Sequence, residues 1–401
     1  MAKALFLSLP AHGHTNPTLP LVQELVARGE RVTYYSIESF RSAVAATGAT
    51  FRPYRNVFLS DMHGIPERMD ELVWLFTRTS DELLGEQLEE WRAEGADYVI
   101  TDSLAPWGQW AGEILGLPVV TSVSTFAFNR KVLAFGVSKG VRPSSARMLF
   151  SKLRYMAKAL GLLRTLRRRH RVKGPGLIGT MFGRSRLNIV YTSQYFQPCA
   201  DTFDGSYLFV GPSLRARADR PDFAWDTLRS PLVYVSLGTI FNTDASFYRT
   251  CFRAFQSFDA QVLMSVGRDV AIDSLGPVPT NIIVTPHVPQ LEVLERASAF
   301  VTHGGMNSVS ESLFYGVPMV VIPQMGEQAI IGRRVEELGA GLYLAKAEVT
   351  SDLLRDRVRR VLTEDGFRQR AGLVRDSFMR AGGVARAATA IMELAAARTL
   401  R

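Results

Sequence analysis

The chain has 401 residues, 47% of them apolar and 21% charged, which is more than one hydrophobic core holds and predicts two domains. Its two cysteines, Cys199 and Cys251, exclude a disulfide framework and a thiolate zinc site and fit a reducing cytoplasm, and no apolar run approaches the roughly 20 residues that cross a bilayer. The net charge of +9 is local: sixteen of the 47 basic residues lie between Arg130 and Arg186, no acidic residue stands between Glu113 and Asp201, and the rest of the chain holds 31 basic against 38 acidic residues.

In chain order, Ala4 to Leu9 is too short for a signal peptide and reads as a buried strand. Asn16-Pro17 then looks like the cap and first residue of a helix with Leu21, Val22, Leu25 and Val26 on one face, stopping near Gly29. Strands follow at Arg31 to Ile37 and Thr50 to Tyr54, around a helix from Ser39 to Thr47. Phe58 to Val73 and Thr125 to Arg142 read as loops; Asp97 to Thr101 and Pro118 to Val123 read as strands flanking a helix from Trp107 to Leu115. Ser144 to Arg171 has helical periodicity, with Met148, Leu149, Leu153, Met156, Leu160 and Leu163 on an apolar side and Arg147, Lys152, Arg154 and Lys158 beside it.

The segment Val210 to Ser230, rich in Pro, Arg and Asp, reads as a linker. Beyond it the alternation resumes: strands at Leu232 to Ser236, Gln261 to Val266, Ile282 to Val284, Ala299 to Thr302 and Met319 to Ile322, and helices at Ser246 to Phe255, Leu291 to Arg296 and Asn307 to Tyr315. The expected division is an N-terminal domain over 1–209, a linker over 210–230, a C-terminal domain over 231–380 and a last helix over 381–401 returning to the N-terminal domain. Alternating short strands and helices predict two doubly wound α/β halves with a ligand cleft between them.

Two segments carry chemistry. At Val301-Thr302-His303-Gly304-Gly305-Met306-Asn307-Ser308 a strand turns into a helix, so backbone N–H groups and the positive end of a helix dipole meet where glycines admit a phosphate. Glu311 lies one turn further on, on the same face as Ser308, where a carboxylate can accept both hydroxyls of a ribose. His-Gly-Gly alone is equally a packing turn. At the other end of the chain, His12-Gly13-His14 follows the first strand, where a neutral imidazole can take a proton from a hydroxyl. His12 reads as a turn residue, and Asp102, at the end of a strand, reads by itself as a helix cap.

Val288-Pro289-Gln290, His303 to Ser308, Glu311, Pro318 and Glu327-Gln328, in this order and spacing, resemble the donor signature of the family 1 UDP-glycosyltransferases, above all the bacterial macrolide-type and plant natural-product branches. The resemblance covers nearly the whole chain in outline and implies the GT-B fold, two Rossmann-like domains facing across a cleft. It implies uracil near His287 and Val288, the diphosphate at His303, Gly305, Asn307 and Ser308, ribose on Glu311, and sugar hydroxyls on Glu327 and Gln328, with Gln290 part of the same signature. Ser236, Gly238 and Thr239 match the family's second nucleotide loop. His287 departs from the plant members, which stack Trp on the base. In the acceptor half His14 matches the general base and Asp102 its acidic partner.

The activity implied is inverting, metal-independent transfer of a hexose, glucose first, from a UDP-sugar co-substrate to a hydroxyl of a small hydrophobic acceptor. No permanent cofactor and no metal site is expected, and the chain has no Asp-x-Asp pair. Trp107, Phe126, Phe128 and Phe135 are candidates for acceptor contact. The competing readings are transfer to a membrane lipid, with the basic segment 144–171 lying on an anionic membrane face, and a nucleotide-sugar binder or epimerase, which has no need of His14 and Asp102. Nucleic acid is not an expected partner, because the basic segment lacks interleaved aromatic residues. His303-Gly304-Gly305 stands too late in the chain for a hydrolase oxyanion loop.

Overall fold

The computed structural model describes residues 1–55, 69–140, 149–176, 184–214, 223, 225–238 and 244–399. The chain forms two compact units, Met1–Leu133 with Arg142–Arg215 and Ala381–Arg401, and Ala134–Val141 with Ala216–Arg380.

The first unit is built on a parallel sheet of β1 (Lys3–Leu7), β2 (Arg31–Ser36), β3 (Thr50–Pro53), β4 (Tyr98–Asp102), β5 (Val119–Val123), β6 (Leu187–Val190) and β7 (Tyr207–Phe209). The spatial order is β3-β2-β1-β4-β5-β6-β7. Because side chains alternate across a strand, Phe6 and Ile100 enter one core while Leu5, Leu7 and Val99 enter another on the opposite face. After the short helix α1 (His12–Thr15), the first core is closed by helices α2 (Thr18–Ala27) and α3 (Arg41–Ala45) together with the C-terminal helix Gly383–Thr399, whose Ala387, Ala388 and Ile391 are buried. Gly382 and Gly383, both with positive φ, let the chain turn into that helix, and Arg28, just after α2, donates to Thr389 Oγ1 at 2.8 Å.

The second core is closed by α4 (Met69–Ala93), α5 (Pro106–Leu115) and α7 (Leu149–His170); α6 (Arg130–Ser138) precedes α7 in the chain. Helix α5 starts at Pro106, ends at left-handed Gly116, and lies so close to the sheet that a Cβ on Gly108 would stand 2.1 Å from Thr101 Oγ1.

Three expectations are corrected. The loop expected over 58–73 is helical from Met69, with Val73 buried, while 56–68 lie outside the described residues. The loop expected over 125–142 contains α6. The apolar side of the basic segment faces the core through Ala159, Leu163 and Leu166, packed with Leu83, Leu84 and Trp91. Leu160, expected on that side, is 38% exposed, because it stands about 60° round the helix from Leu163, on the far side of it from Ala159.

The second unit repeats the plan with β8 (Leu232–Ser236), β9 (Gln261–Ser265), β10 (Ile282–Thr285), β11 (Ala299–Thr302), β12 (Met319–Val321) and β13 (Gly341–Tyr343), all parallel in the order β10-β9-β8-β11-β12-β13. Its helices are α8 (Ala245–Phe255), α9 (Gln290–Arg296), α10 (Met306–Phe314), α11 (Gly326–Glu337), α12 (Ser351–Thr363) and α13 (Asp365–Arg380). In each sheet the strand order reverses between two neighbours, β1 and β4 in the first, β8 and β11 in the second. Parallel α/β sheets bind ligands at the carboxyl ends of such a pair.

Candidate active site

At the first reversal, β1 and β4 run in register with Leu7 beside Thr101, so the turn after β1 and the end of β4 are neighbours. The turn is α1 itself, a helical turn closed by the His14 amide on the Ala11 carbonyl, which aims the second histidine at Asp102. His14 Nδ1 stands 2.9 Å from Asp102 Oδ2. The carboxylate is 2% exposed and its other oxygen accepts the Leu104 amide at 2.8 Å, while the His14 side chain keeps 19% of its surface. Ser124 Oγ, just beyond β5, lies 2.8 Å from the same His14 nitrogen.

A buried carboxylate beside Nδ1 holds the proton there and leaves the ring's lone pair on Nε2, the arrangement of a general base with an orienting acid. The phenols around Asp102 are neutral: burial pushes Tyr34 up to about 12 and raises Tyr54 and Tyr191 as well. His12 packs edge-on against Phe40 at 4.9 Å, as a turn residue does.

At the second reversal Ser236 pairs with Thr302 in register, bringing Gly238 and His303 together. The His303 ring sits between two glycines: a Cβ on Gly238 would lie 2.6 Å from Cε1, and one on Gly305 2.4 Å from Nε2. Gly304 has φ +87°, and a Cβ there would meet Val321 at 2.6 Å, so the turn accepts no side chain. Gly305 precedes α10 without a side-chain cap hydrogen bond, and the positive end of the helix dipole lies at this turn. Burial lowers the His303 imidazole to about 4, the Ser236 backbone opposing it.

Below this turn lies a polar chain. Tyr234 OH donates to Gln290 Oε1 at 3.1 Å, and Gln290 Nε2 donates to Glu311 Oε2 at 2.5 Å and to Ser308 Oγ at 3.3 Å. Gln290 therefore fixes the Glu311 carboxylate from beneath. His287 is half-buried and Val288 buried in the turn after β10; Glu327 is half-buried in the first turn of α11, and Gln328 Oε1 accepts the Gln324 amide at 2.8 Å. Asn307 is half-buried beside Ser308, and Thr239 lies outside the described residues.

The structure thus brings His14 to Asp102 in one unit, and Ser236, Gly238, His303 and Gly305 together in the other, with Gln290, Ser308 and Glu311 as a second cluster there. The aromatic acceptor candidates divide. Trp107 and Phe126 have no accessible surface, Trp107 donating to Tyr54 OH at 3.0 Å and Phe126 packing on Phe196, so both are core residues and are withdrawn as acceptor contacts. Phe128 and Phe135 are half-buried. Ser124 and Tyr234 are site residues that sequence reasoning missed. It also passed over Gly136-Val137-Ser138-Lys139-Gly140, which has hydrolase-elbow spacing; Ser138 ends α6 and donates to the Phe135 carbonyl, with no strand leading into it, so it is no nucleophile elbow.

Residues 249–393 match the family model of the C-terminal domain of erythromycin biosynthesis protein CIII-like proteins. The chain is 34% identical to the uncharacterized UDP-glucosyltransferase YojK of Bacillus subtilis, covering 100% of this chain and 99% of that one. It is 36% identical to the NDP-glycosyltransferase YjiC of the same organism, over 96% and 95% of the two chains. The crystal structure of CalG4, the calicheamicin glycosyltransferase, superposes with a TM-score of 0.81 at 29% identity, covering 98% of each chain.

The state of His303 is measurable. With a folded value of about 4 against an ordinary 6.5, the unfolded chain binds this proton first, so the associated stability is complete above pH 6.5 and is lost as pH falls towards 4, at most roughly 3 kcal/mol. The imidazole C–H resonances of His303, assigned by comparison with His303→Asn, are expected to titrate near pH 4; a midpoint near 6.5 would contradict the burial argument.

Proposed function

The chain belongs to the family 1 glycosyltransferases and has their GT-B fold, and from that premise we propose that it moves a hexose, glucose first, from a UDP-sugar to a hydroxyl of a small hydrophobic natural product. The first unit is assigned to the acceptor and the second to the donor. His14 Nε2 takes the acceptor proton, the freed oxygen forms its bond to the anomeric carbon, and the bond from that carbon to the diphosphate breaks with its electron pair going to UDP. One displacement inverts the anomeric centre. Asp102 stabilises the imidazolium as it forms.

The charge growing on the leaving group falls to His303, Ser308 and the amides at the start of α10, a preorganised set that does the work a metal ion does elsewhere. His303, neutral at physiological pH, acts there as a hydrogen-bond donor without a charge to be screened. Glu311, held by Gln290, takes the ribose; His287 and Val288 take the base; Glu327 and Gln328 read the sugar hydroxyls. A UDP-sugar is the co-substrate, with no resident cofactor. The relatives' names support this choice of donor, YojK being called a UDP-glucosyltransferase, and CalG4, named for calicheamicin, supports a natural-product acceptor. The two free cysteines fit a cytoplasmic protein.

The observation that carries the reading is the contact between His14 and Asp102, which a nucleotide-sugar binder has no use for. His14→Ala is expected to lower kcat roughly 10²- to 10⁴-fold while UDP binding by calorimetry stays within twofold; near-native turnover removes His14 from the mechanism.

A second reading, transfer to a lipid at an anionic membrane surface, is favoured by the outward side of α7. Arg154, Lys158, Arg164 and Arg168 are exposed there and the helix contains no acidic residue, whereas Arg169 is paired with Asp81 at 2.7 Å. No helix among the described residues is long and apolar enough to cross a membrane, so contact would be peripheral. Each cation near such a surface contributes about 1 kcal/mol. Co-sedimentation with phosphatidylglycerol vesicles that is lost at high salt and absent with phosphatidylcholine is the expected result under this reading; no binding to either discards it.

A further inference from the structure

Ser124 has no part in the proton transfer proposed for His14 and Asp102, yet it touches the same ring nitrogen. It is 4% exposed and follows directly on β5, whose Ser122 is in register with Asp102. Its Oγ and the Asp102 carboxylate both stand within 3 Å of one atom, His14 Nδ1, at 2.8 and 2.9 Å. A ring nitrogen carries either a proton or a lone pair in the ring plane, so the two neighbours must agree on which it is.

Were Nδ1 unprotonated, Ser124 could donate to it, but the carboxylate would then face a lone pair at hydrogen-bond distance and the proton would sit on Nε2, where a base needs its lone pair. With Nδ1 protonated, both oxygens accept. We propose that Ser124 is a positioning residue that shares the Nδ1–H of His14 with Asp102, excludes the inactive tautomer, and stabilises the imidazolium once His14 has taken the acceptor proton. The inference rests on His14 being the base. Hydrogen bonds from a charged donor are about twice as strong as those from a neutral one, so Ser124 contributes most after proton transfer and raises the basicity of Nε2. Among the described residues, the titratable groups that feel the Asp102 charge include Tyr34 from β2, Tyr54 after β3 and Tyr191 after β6. Burial raises all three well above their ordinary value, so none of them titrates against His14 near neutral pH.

Two substitutions of equal shape separate the hydrogen bond from packing: Ser124→Thr keeps the hydroxyl and Ser124→Val replaces it with a methyl group. The threonine variant is expected within about threefold of the parent kcat. The valine variant should fall about tenfold in kcat with the KM for UDP-sugar unchanged, the acidic limb of its kcat–pH profile moving to lower pH because the imidazolium has lost an acceptor. Ser124→Ala, with folding checked by thermal denaturation, should reproduce the pH shift if the β-branched pair packs poorly. In a His14→Ala background, Ser124→Val should have no further effect. Equal kcat and equal pH limbs in the threonine and valine variants, or an unmoved limb in the alanine variant, overturn the role of Ser124. An active His14→Ala enzyme overturns the base itself, so the two failures are distinguishable.

Discussion

The contact between the Asp102 carboxylate and the His14 imidazole is the interaction on which the proposed chemistry of the first unit depends, and strand order creates it. Asp102 is distant from His14 in sequence, yet β1 and β4 are neighbours because the chain reverses direction across the sheet at that pair. A buried carboxylate is costly unless every lone pair facing the interior is used. Here one oxygen holds the Leu104 amide and the other holds the imidazole, so the group that orients the base is itself pinned by backbone. Gly108 matters for the same reason: without a side chain it lets α5 lie against Thr101, the residue just before Asp102.

The second sheet uses the same reversal for the opposite electrostatic task. In the first, a carboxylate stands at hydrogen-bond distance from a histidine ring and orients it. In the second, His303 is enclosed by glycines and by protein, burial disfavours its charge, and the positive potential comes from the start of a helix that no side chain caps. Amides need no proton to be positive. If the proposed assignment of this turn to a diphosphate holds, such a site keeps its character over the pH range in which the proposed histidine base must change its own protonation.

Much of this was legible in the sequence where local rules and fold agree. The strands Leu232 to Ser236 and Ala299 to Thr302 were expected with their observed bounds, because each is a short apolar run closed by turn residues. His14 was legible because it stands in the turn after the first strand, Asp102 because the resemblance matched it to the acidic partner, and the His-Gly-Gly turn because glycine spacing reports backbone approach. Strands β6, β7 and β13, with four, three and three residues, are too short to show a period. Helix α4 was missed because it starts in a stretch whose polar and glycine content suggests a loop, although its Leu83, Leu84, Leu88 and Trp91 are buried at helical spacing. Trp107 and Phe126 misled because an aromatic residue near a site in sequence need not face it: Trp107 lies on the inward side of α5. Ser124 and Tyr234 act through side-chain tips that meet their partners only across strands, and a serine after a strand or a tyrosine inside one carries no such signal by itself.

The role of the buried carboxylate is tested most directly by Asp102→Asn. With Oδ1 kept by the Leu104 amide, the new NH2 group points at His14 Nδ1 and can only donate, which drives the ring proton to Nε2 and removes the lone pair that accepts the substrate proton. If His14 is the base that Asp102 orients, kcat of the folded variant falls about 10³- to 10⁴-fold while UDP affinity by calorimetry is unchanged. A variant that turns over at near-parent rate would contradict the dyad.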